Sequence, residues 1–149
     1  MFDAGARAHF VAAQYAARMV IPQAGGLIVD ISFWAAQKHT GNVTYGVSKA
    51  ATDKLISDMA EELSEHGISV VSVYPGLVRT EAVMEAAAFL DLSNSESPQF
   101  IGRAVAALAA DAACINRTGN ILLAADPACE YGFTDIDGKQ PRPLTPGDI

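Results

Sequence analysis

The chain has 149 residues, half of them apolar, which suits one compact domain with a sizeable core but not two. Its formal net charge is −7 and it has no cluster of Lys or Arg, so nucleic acid is not an expected partner. Cys114 and Cys129 lie outside any CxxC motif, so we expect inert thiols, no metal site and a cytoplasmic protein. Each apolar run stops well before the roughly 18 residues of a membrane span, so we expect no membrane association.

The first half of the chain predicts a helix, a strand and a second helix. Residues 4–20 are rich in alanine, with apolar side chains crowded on one side, and predict a helix that Pro22 ends. LIVDIS at residues 27–32 is typical of a strand buried on both faces. Thr44 can cap a long helix that ends near Glu65. The predicted apolar stripe of this helix consists of Val47, Ala50, Leu55, Met59 and Leu63.

The second half continues the alternation. ISVVSVYPG from residue 68 predicts a second buried strand, and residues 120–125 (NILLAA) predict a third. Between them two helices are predicted, the first capped by Thr80 and the second by Ser97. Alternating helices and strands of this kind favour the α/β class, with a parallel sheet, right-handed crossovers and helices on both faces.

The C-terminus has a different composition from the rest of the chain. Its last twelve residues, GKQPRPLTPGDI, contain three prolines and few apolar side chains to bury. We therefore predict that residues 1–137 form the domain and that residues 138–149 form an extended or disordered tail.

The sharpest chemical feature is the pair formed by Tyr45 and Lys49 at the start of the long helix. Side chains four residues apart lie on one face of a helix, so an ammonium would stand beside a phenol. A tyrosine titrates near 10 in water, and a nearby positive charge lowers this pKa toward neutrality, where the phenol can act as an acid or base. A YxxxK motif alone is weak, because chance also produces it.

Two further polar sites are expected at the same edge of the sheet. Ser32 stands at the carboxyl end of the first predicted strand, where open parallel sheets bind their ligands, and its hydroxyl could hold a carbonyl. After the second strand, residues 75–80 (PGLVRT) predict a turn that brings backbone N–H groups and a hydroxyl against a ligand.

These three sites, in this order, resemble the short-chain dehydrogenase/reductase family over essentially the whole chain. The segments that carry the resemblance are GARAHF, GLIVDIS, NVTYGVSKAA, VYPGLVRTE and YGFTDIDG. The resemblance implies a Rossmann-like doubly wound parallel sheet, of which this chain would supply the C-terminal catalytic half with about three strands.

The resemblance also implies a function, the NAD(P)(H)-dependent interconversion of a small-molecule alcohol and a carbonyl by hydride transfer. Tyr45 would be the acid/base, Lys49 would lower its pKa and bind the nicotinamide ribose, and Ser32 would hold the carbonyl. The residues expected to contact NAD or NADP are Tyr45, Lys49, Pro75, Gly76, Val78 and Thr80. Residues 81–98 would form a lid over the substrate. The choice between NAD and NADP stays open.

Two departures from the family pattern, and one consequence for the sheet, bear on that function. No glycine-rich loop follows a strand in this chain, so the pyrophosphate site is missing from it. Gly5 stands where many members of the family carry an asparagine, which leaves a fourth catalytic role unassigned. The strand at residues 27–32 would also expose a raw sheet edge, so we expect the chain alone to be unstable, oligomeric or complemented by a further segment.

The resemblance also bears on assembly and on whether the chain is active. By resemblance, the helices near 4–20 and 44–65 imply a homo-oligomer. The alternative to an enzyme is a truncated, catalytically silent protein with an oligomerisation or regulatory role.

The remaining titratable residues receive no catalytic role. The histidines, His9, His39 and His66, lack carboxylate partners at helical spacing. Asp135 and Asp137 resemble a carboxylate pair, but their setting favours a turn.

Overall fold

A parallel β-sheet forms the centre of the computed structural model, which describes residues 1–148. Within these residues the sheet has the strand order β1 (Gly26–Ile31), β2 (Ile68–Tyr74) and β3 (Ile121–Leu123). All seven residues of the central strand β2 are buried, as its unbroken apolar run predicts. The predicted α/β class with a parallel sheet is confirmed.

Helices pack on both faces of the sheet. The bounds are α1 (Ala8–Val20), α2 (Val43–Leu63), α3 (Glu81–Glu85), α4 (Pro98–Ala110) and α5 (Ala125–Tyr131). A π-helical turn, Asp3–Arg7, leads into α1. The sequence did not predict α5: its first residue was assigned to the third strand, which instead ends at Leu123. Short apolar runs of this kind fit a helix or a strand equally well.

Two hydrophobic clusters hold the helices to the sheet. The α1 and α2 side is formed by Ile28, Ile56, Ala60, Leu63, Ile68 and Val70. The α4 and α5 side is formed by Val71, Val73, Phe100, Leu108, Cys114, Ala124, Ala125 and Ala128. Alternate residues of β2 belong to opposite clusters, as the period of a strand requires.

The long helix α2 differs from its prediction in both cap and orientation. It begins at Val43, and the side chain of Asn42, not Thr44, caps it by accepting a hydrogen bond from the Tyr45 N–H. The predicted apolar stripe is also wrong at its start, because Val47 is 49% exposed and Ala50 is exposed. The buried stripe consists of Ser48, Thr52, Ile56, Ala60 and Leu63. Small polar side chains occupy the N-terminal part of this stripe because the chain passes close to the helix there.

That close approach occurs at Gly5, in the turn before α1. A Cβ atom at Gly5 would lie 2.0 Å from Oγ and 3.3 Å from Cβ of the buried Ser48. Glycine therefore lets this turn lie directly on α2. On the apolar side of α1, Ala13 is buried, whereas Tyr15 and Met19 are 62% and 70% exposed.

The C-terminal segment after α5, described to residue 148, has no strand, and hydrogen bonds connect it to the rest of the chain. Residues 138–145 have neither helix nor strand, and Pro146–Asp148 form a single 3₁₀ turn. The side chain of Asn94, in the predicted lid, donates a hydrogen bond to the Arg142 carbonyl and accepts one from the Arg142 N–H. Ile149, the last residue of the predicted tail, lies outside the described residues. No helix in residues 1–148 is long and apolar enough to cross a membrane.

Candidate active site

The predicted site residues lie where the carboxyl ends of β1 and β2 meet the first turns of α2. Ser32 directly follows β1, and Pro75 directly follows β2. Tyr45 is in the first turn of α2, and its N–H donates to Asn42 Oδ1 over 3.0 Å. The cap therefore fixes the turn that carries Tyr45. Parallel strands and a capped helix bring these residues together, as the sequence predicts.

Ser32 presents an enclosed hydroxyl at this edge. Its backbone N–H donates to the Val73 carbonyl over 3.0 Å, which extends the β1–β2 ladder by one residue. The side chain is almost fully buried, and within residues 1–148 its Oγ has no hydrogen bond of normal geometry. An unpaired buried hydroxyl is costly, so this group is poised to bond to a ligand.

Tyr45 and Lys49 share one face of α2, as predicted. Lys49 Nζ lies 5.9 Å from the centre of the Tyr45 ring and donates to the Ile31 carbonyl over 2.8 Å. The expected low pKa of Tyr45 is not found in this structure, because burial raises that pKa above its ordinary value. Burial also lowers the pKa of Lys49, while the carboxylates of Asp30 and Asp53 oppose this change.

A second tyrosine lies beside Ser32. The Tyr74 hydroxyl donates to Asp53 Oδ2, and Gln37 Nε2 donates to the Tyr74 hydroxyl over 3.3 Å. Burial and then the hydrogen bond to Asp53 raise the pKa of Tyr74, so its phenol stays neutral. The Trp34 ring packs edge-on against Tyr74, with 5.4 Å between ring centres. Tyr74 is thus a neutral, fixed wall of the site.

The turn after β2 is held from behind by a buried glutamate. Gly76 N–H donates to Glu96 Oε2 over 2.8 Å, so this N–H is engaged by the chain and not presented to a ligand as predicted. Glu96 N–H donates to the Leu77 carbonyl, and its own carbonyl accepts from Arg79 N–H. A Cβ atom at Gly76 would lie 2.9 Å from Glu96 Oε1, which explains glycine here. Val78 is bridged to Glu96 in the same way that strands pair.

Thr80, at the end of the same turn, is an N-cap. Its Oγ1 accepts from the Val83 N–H at the start of α3, over 3.4 Å. The oxygen is thereby occupied as an acceptor, while the hydroxyl proton can still be donated.

Sequence reasoning missed the ion pair that anchors this turn to the C-terminal segment. Arg79 Nη2 lies 2.9 Å from Asp135 Oδ2. Asp135 is 2% exposed, and it also accepts from the N–H and hydroxyl of Ser97, the α4 cap. Burial alone would raise the pKa of Asp135, but these hydrogen bonds hold it below its ordinary value. The predicted turn at Asp135 is real, since Gly138 N–H donates to its carbonyl, but its side chain has this second task.

Histidine analysis from sequence missed a second pair. His9 Nδ1 contacts Asp30 Oδ1, and Asp30 is 9% exposed. The partner comes from β1 and not from the helix that carries His9, so helical spacing could not reveal it. A charged residue inside the apolar run LIVDIS was the available signal. Among residues 1–148, no group of three or more His, Cys, Asp or Glu is arranged to hold a metal ion.

Comparisons with known proteins agree with this fold. A family model described as short chain dehydrogenase matches residues 1–91. Dehydrogenase/reductase SDR family member 1 from Mus musculus is 42% identical over 92% of this chain and 48% of that protein. The Homo sapiens protein of the same name is 38% identical with the same coverage. A solved 7α-hydroxysteroid dehydrogenase, complexed with NADH and 7-oxo glycochenodeoxycholic acid, has a TM-score of 0.66 and 28% identity over 80% of this chain and 50% of that chain.

The fold is thus Rossmann-like, with a parallel sheet between helices on both faces. The chain belongs to the short-chain dehydrogenase/reductase family. It spans about half the length of the curated relatives it matches.

Proposed function

We propose that this chain carries the catalytic residues of an NAD(P)(H)-dependent oxidoreductase that interconverts a small-molecule alcohol and a carbonyl. The observation that carries the proposal is the unpaired, buried hydroxyl of Ser32 beside the Tyr45 and Lys49 pair. A buried hydroxyl with no hydrogen bond of normal geometry within residues 1–148 gains one when a carbonyl oxygen arrives. Family membership supports the same reaction class.

Each side chain has a distinct task in carbonyl reduction. Ser32 donates a hydrogen bond to the carbonyl oxygen and orients it toward Tyr45. Tyr45 donates its hydroxyl proton to that oxygen, and its raised pKa keeps the proton in place until the substrate develops negative charge. Lys49, held by the Ile31 carbonyl, stabilises the phenolate that remains.

The residues present fit the nicotinamide end of a dinucleotide. The turn of residues 75–80 is fixed by the hydrogen bond from the Gly76 N–H to Glu96, and its last residue, Thr80, is exposed. Lys49 and Tyr45 would hold the ribose, and Pro75, Val78 and the Thr80 hydroxyl would line the nicotinamide. A bound NAD(H) or NADP(H) would supply the hydride. The solved relative with NADH supports this cofactor class.

The test is a Tyr45→Phe variant assayed with NADH and NADPH against a panel of ketones and aldehydes. We expect a loss of turnover of about 100-fold or more, because phenylalanine keeps the ring but has no proton to transfer. Tyr15→Phe is the matched control, since Tyr15 is 62% exposed on α1, and it should keep full activity. Undiminished turnover in Tyr45→Phe would contradict the proposal.

The second candidate is association through the exposed apolar side chains of α1 and α2. Tyr15 and Met19 on α1, and Val43 and Val47 on α2, are between 49% and 71% exposed. Such patches mark contact surfaces, which supports a homo-oligomer whether or not the chain is catalytic. Met19→Lys with Val47→Glu should lower the mass measured by light scattering. An unchanged mass would argue against these helices as the interface, and an oligomer without turnover would favour a regulatory role.

A further inference from the structure

The carboxyl group of Asp30 is buried on strand β1, two residues before Ser32. Asp30 and Ser32 are two residues apart, so their side chains face the same side of the sheet, toward α1 and α2. Asp30 Oδ1 contacts His9 Nδ1, whereas within the described chain Oδ2 is enclosed without a hydrogen-bond partner. A buried charge in this position is costly unless a cation lies near it.

The cation on which Asp30 acts is Lys49. Its Nζ is bonded to the carbonyl of Ile31, the residue between Asp30 and Ser32, and the Asp30 carboxylate opposes the effect of burial on the Lys49 pKa. Asp53 acts on Lys49 in the same direction, but its two oxygens already accept hydroxyl protons from Ser72 and Tyr74. Of these two carboxylates, only Asp30 has an oxygen, Oδ2, without a hydrogen bond in the described chain.

His9 connects this carboxylate to a cavity. A cavity of about 390 Å³ lies between α1 and β1, and both His9 and Asp30 form part of its wall. The His9 side chain is 26% exposed, and the rest of the α1 wall is formed by alanines, which have no polar group to compete for the carboxylate. His9 is thus the side chain of α1 that contacts the Asp30 carboxyl group and fixes its orientation.

We propose that His9 and Asp30 are a positioning pair that holds Lys49 in its cationic form beside Tyr45. This inference rests on the proposed function, because it assigns the pair a task in proton donation by Tyr45. Lys49 of α2 is the titratable group on which Asp30 acts; Lys49 is also influenced by Asp53, which is bonded to Tyr74 of β2, and it lies against the ring of Tyr45. Among these, Lys49 is the group whose charge the pair controls, since Tyr74 is neutral and Asp53 is bonded to two hydroxyls.

The first test measures Lys49 directly and needs no activity. The protein is labelled with ¹³Cε-lysine and titrated by NMR, with the Lys49 signal assigned by its loss in Lys49→Arg. In Asp30→Asn, Lys49 should lose its proton at lower pH than in the wild type, because the anion that favours the charged form is gone. Asp58→Asn, which removes a carboxylate from an exposed pair with Lys54, is the matched control and should leave Lys49 unchanged. An unshifted Lys49 titration in Asp30→Asn overturns the proposal.

The second test separates positioning from a structural effect. In Asp30→Asn, kcat for carbonyl reduction should fall most at alkaline pH, by about ten-fold for each pKa unit lost by Lys49. KM for the nucleotide should change little. A loss equal at every pH would indicate a structural role and overturn the proposal. Asp30→Glu keeps the charge and should restore the profile, and it also serves if Asp30→Asn folds poorly.

Variants of His9 complete the test. Asparagine can place a donor where His9 Nδ1 stands, so His9→Asn should retain the wild-type profile, while His9→Leu should shift it in the direction of Asp30→Asn. His66→Leu, at a histidine 3.7 Å from Glu65 on the far end of α2, is the control. If Tyr45→Phe is inactive and the Asp30 and His9 variants match the wild type, this inference fails alone. If Tyr45→Phe is active, the proposed function fails, and the Lys49 titration still decides on the pair.

Discussion

Glu96 makes the stability of this protein depend on pH in an unusual direction. It is 2% exposed, and burial raises its pKa from 4.5 to about 7, although the Gly76 N–H and the nearby Arg79 favour the charged form. Between these two values the unfolded chain releases the Glu96 proton while the folded chain keeps it. The folded state therefore loses stability as pH rises through this window, and the full penalty is present above 7.

The magnitude follows from the two pKa values. At about 1.4 kcal/mol for each tenfold change in the ionisation constant, the penalty above pH 7 is about 3 kcal/mol. A penalty of this size is a large part of the free energy of unfolding of a domain, which is roughly 5–15 kcal/mol. Glu96→Gln removes it, because the amide oxygen can still accept from Gly76 but carries no charge.

The assay is urea unfolding of the wild type and Glu96→Gln at pH 5 and at pH 8. All other titrating groups are the same in both proteins, so the difference between them isolates Glu96. We expect Glu96→Gln to gain about 2–3 kcal/mol relative to the wild type between pH 5 and pH 8. The two amide hydrogens that this substitution introduces change the free energy of unfolding equally at both pH values, so they do not contribute to the difference. A difference between the proteins that is equal at pH 5 and pH 8 would refute the reasoning.

Two further predictions concern the elements that carry the site. Leu108→Ala should lower the free energy of unfolding by about 2–5 kcal/mol, because Leu108 is fully buried between α4 and the sheet. Ile121→Ala, at a side chain 39% exposed, is the control, and equal losses in urea unfolding would contradict the assigned core. Asn42→Ala should cost about 1 kcal/mol through loss of the α2 cap, while Asn42→Asp keeps the acceptor and most of the stability. If both Asn42 variants lose the same amount in thermal unfolding, the side chain is not acting as a cap.

Local sequence patterns predicted the fold class and the place of the site. Unbroken apolar runs predicted the strands at 27–32 and from 68, and these patterns depend on residues that are neighbours in the chain. The spacing of Tyr45 and Lys49 predicted their shared helix face for the same reason, because the helical repeat fixes it. The order of Ser32, the helix and the PGxxxT turn then placed all three at one sheet edge.

Sequence patterns were less reliable where two adjacent residues of α2 could each be the buried residue or the helix cap. The α2 sequence offers an apolar face with Val47 and a small, partly polar face with Ser48, and hydrophobicity favours the first. The fold buries the second, because Gly5 and the strand edge approach α2 too closely for larger side chains. Likewise Asn42 and Thr44 are both good caps, and the path of the loop selects Asn42.

The sequence by itself predicted the three strands, their parallel arrangement, most of the helices and the candidate catalytic set. The tertiary structure alone decided the charges around that set. His9 and Asp30 are 21 residues apart, and Arg79 and Asp135 are 56 apart, so no local period relates them. These pairs form because an unpaired buried charge is costly, and the partner comes from the element that packs against it. For the same reason the raised pKa of Tyr45 follows from its enclosure and could not be read from its spacing to Lys49.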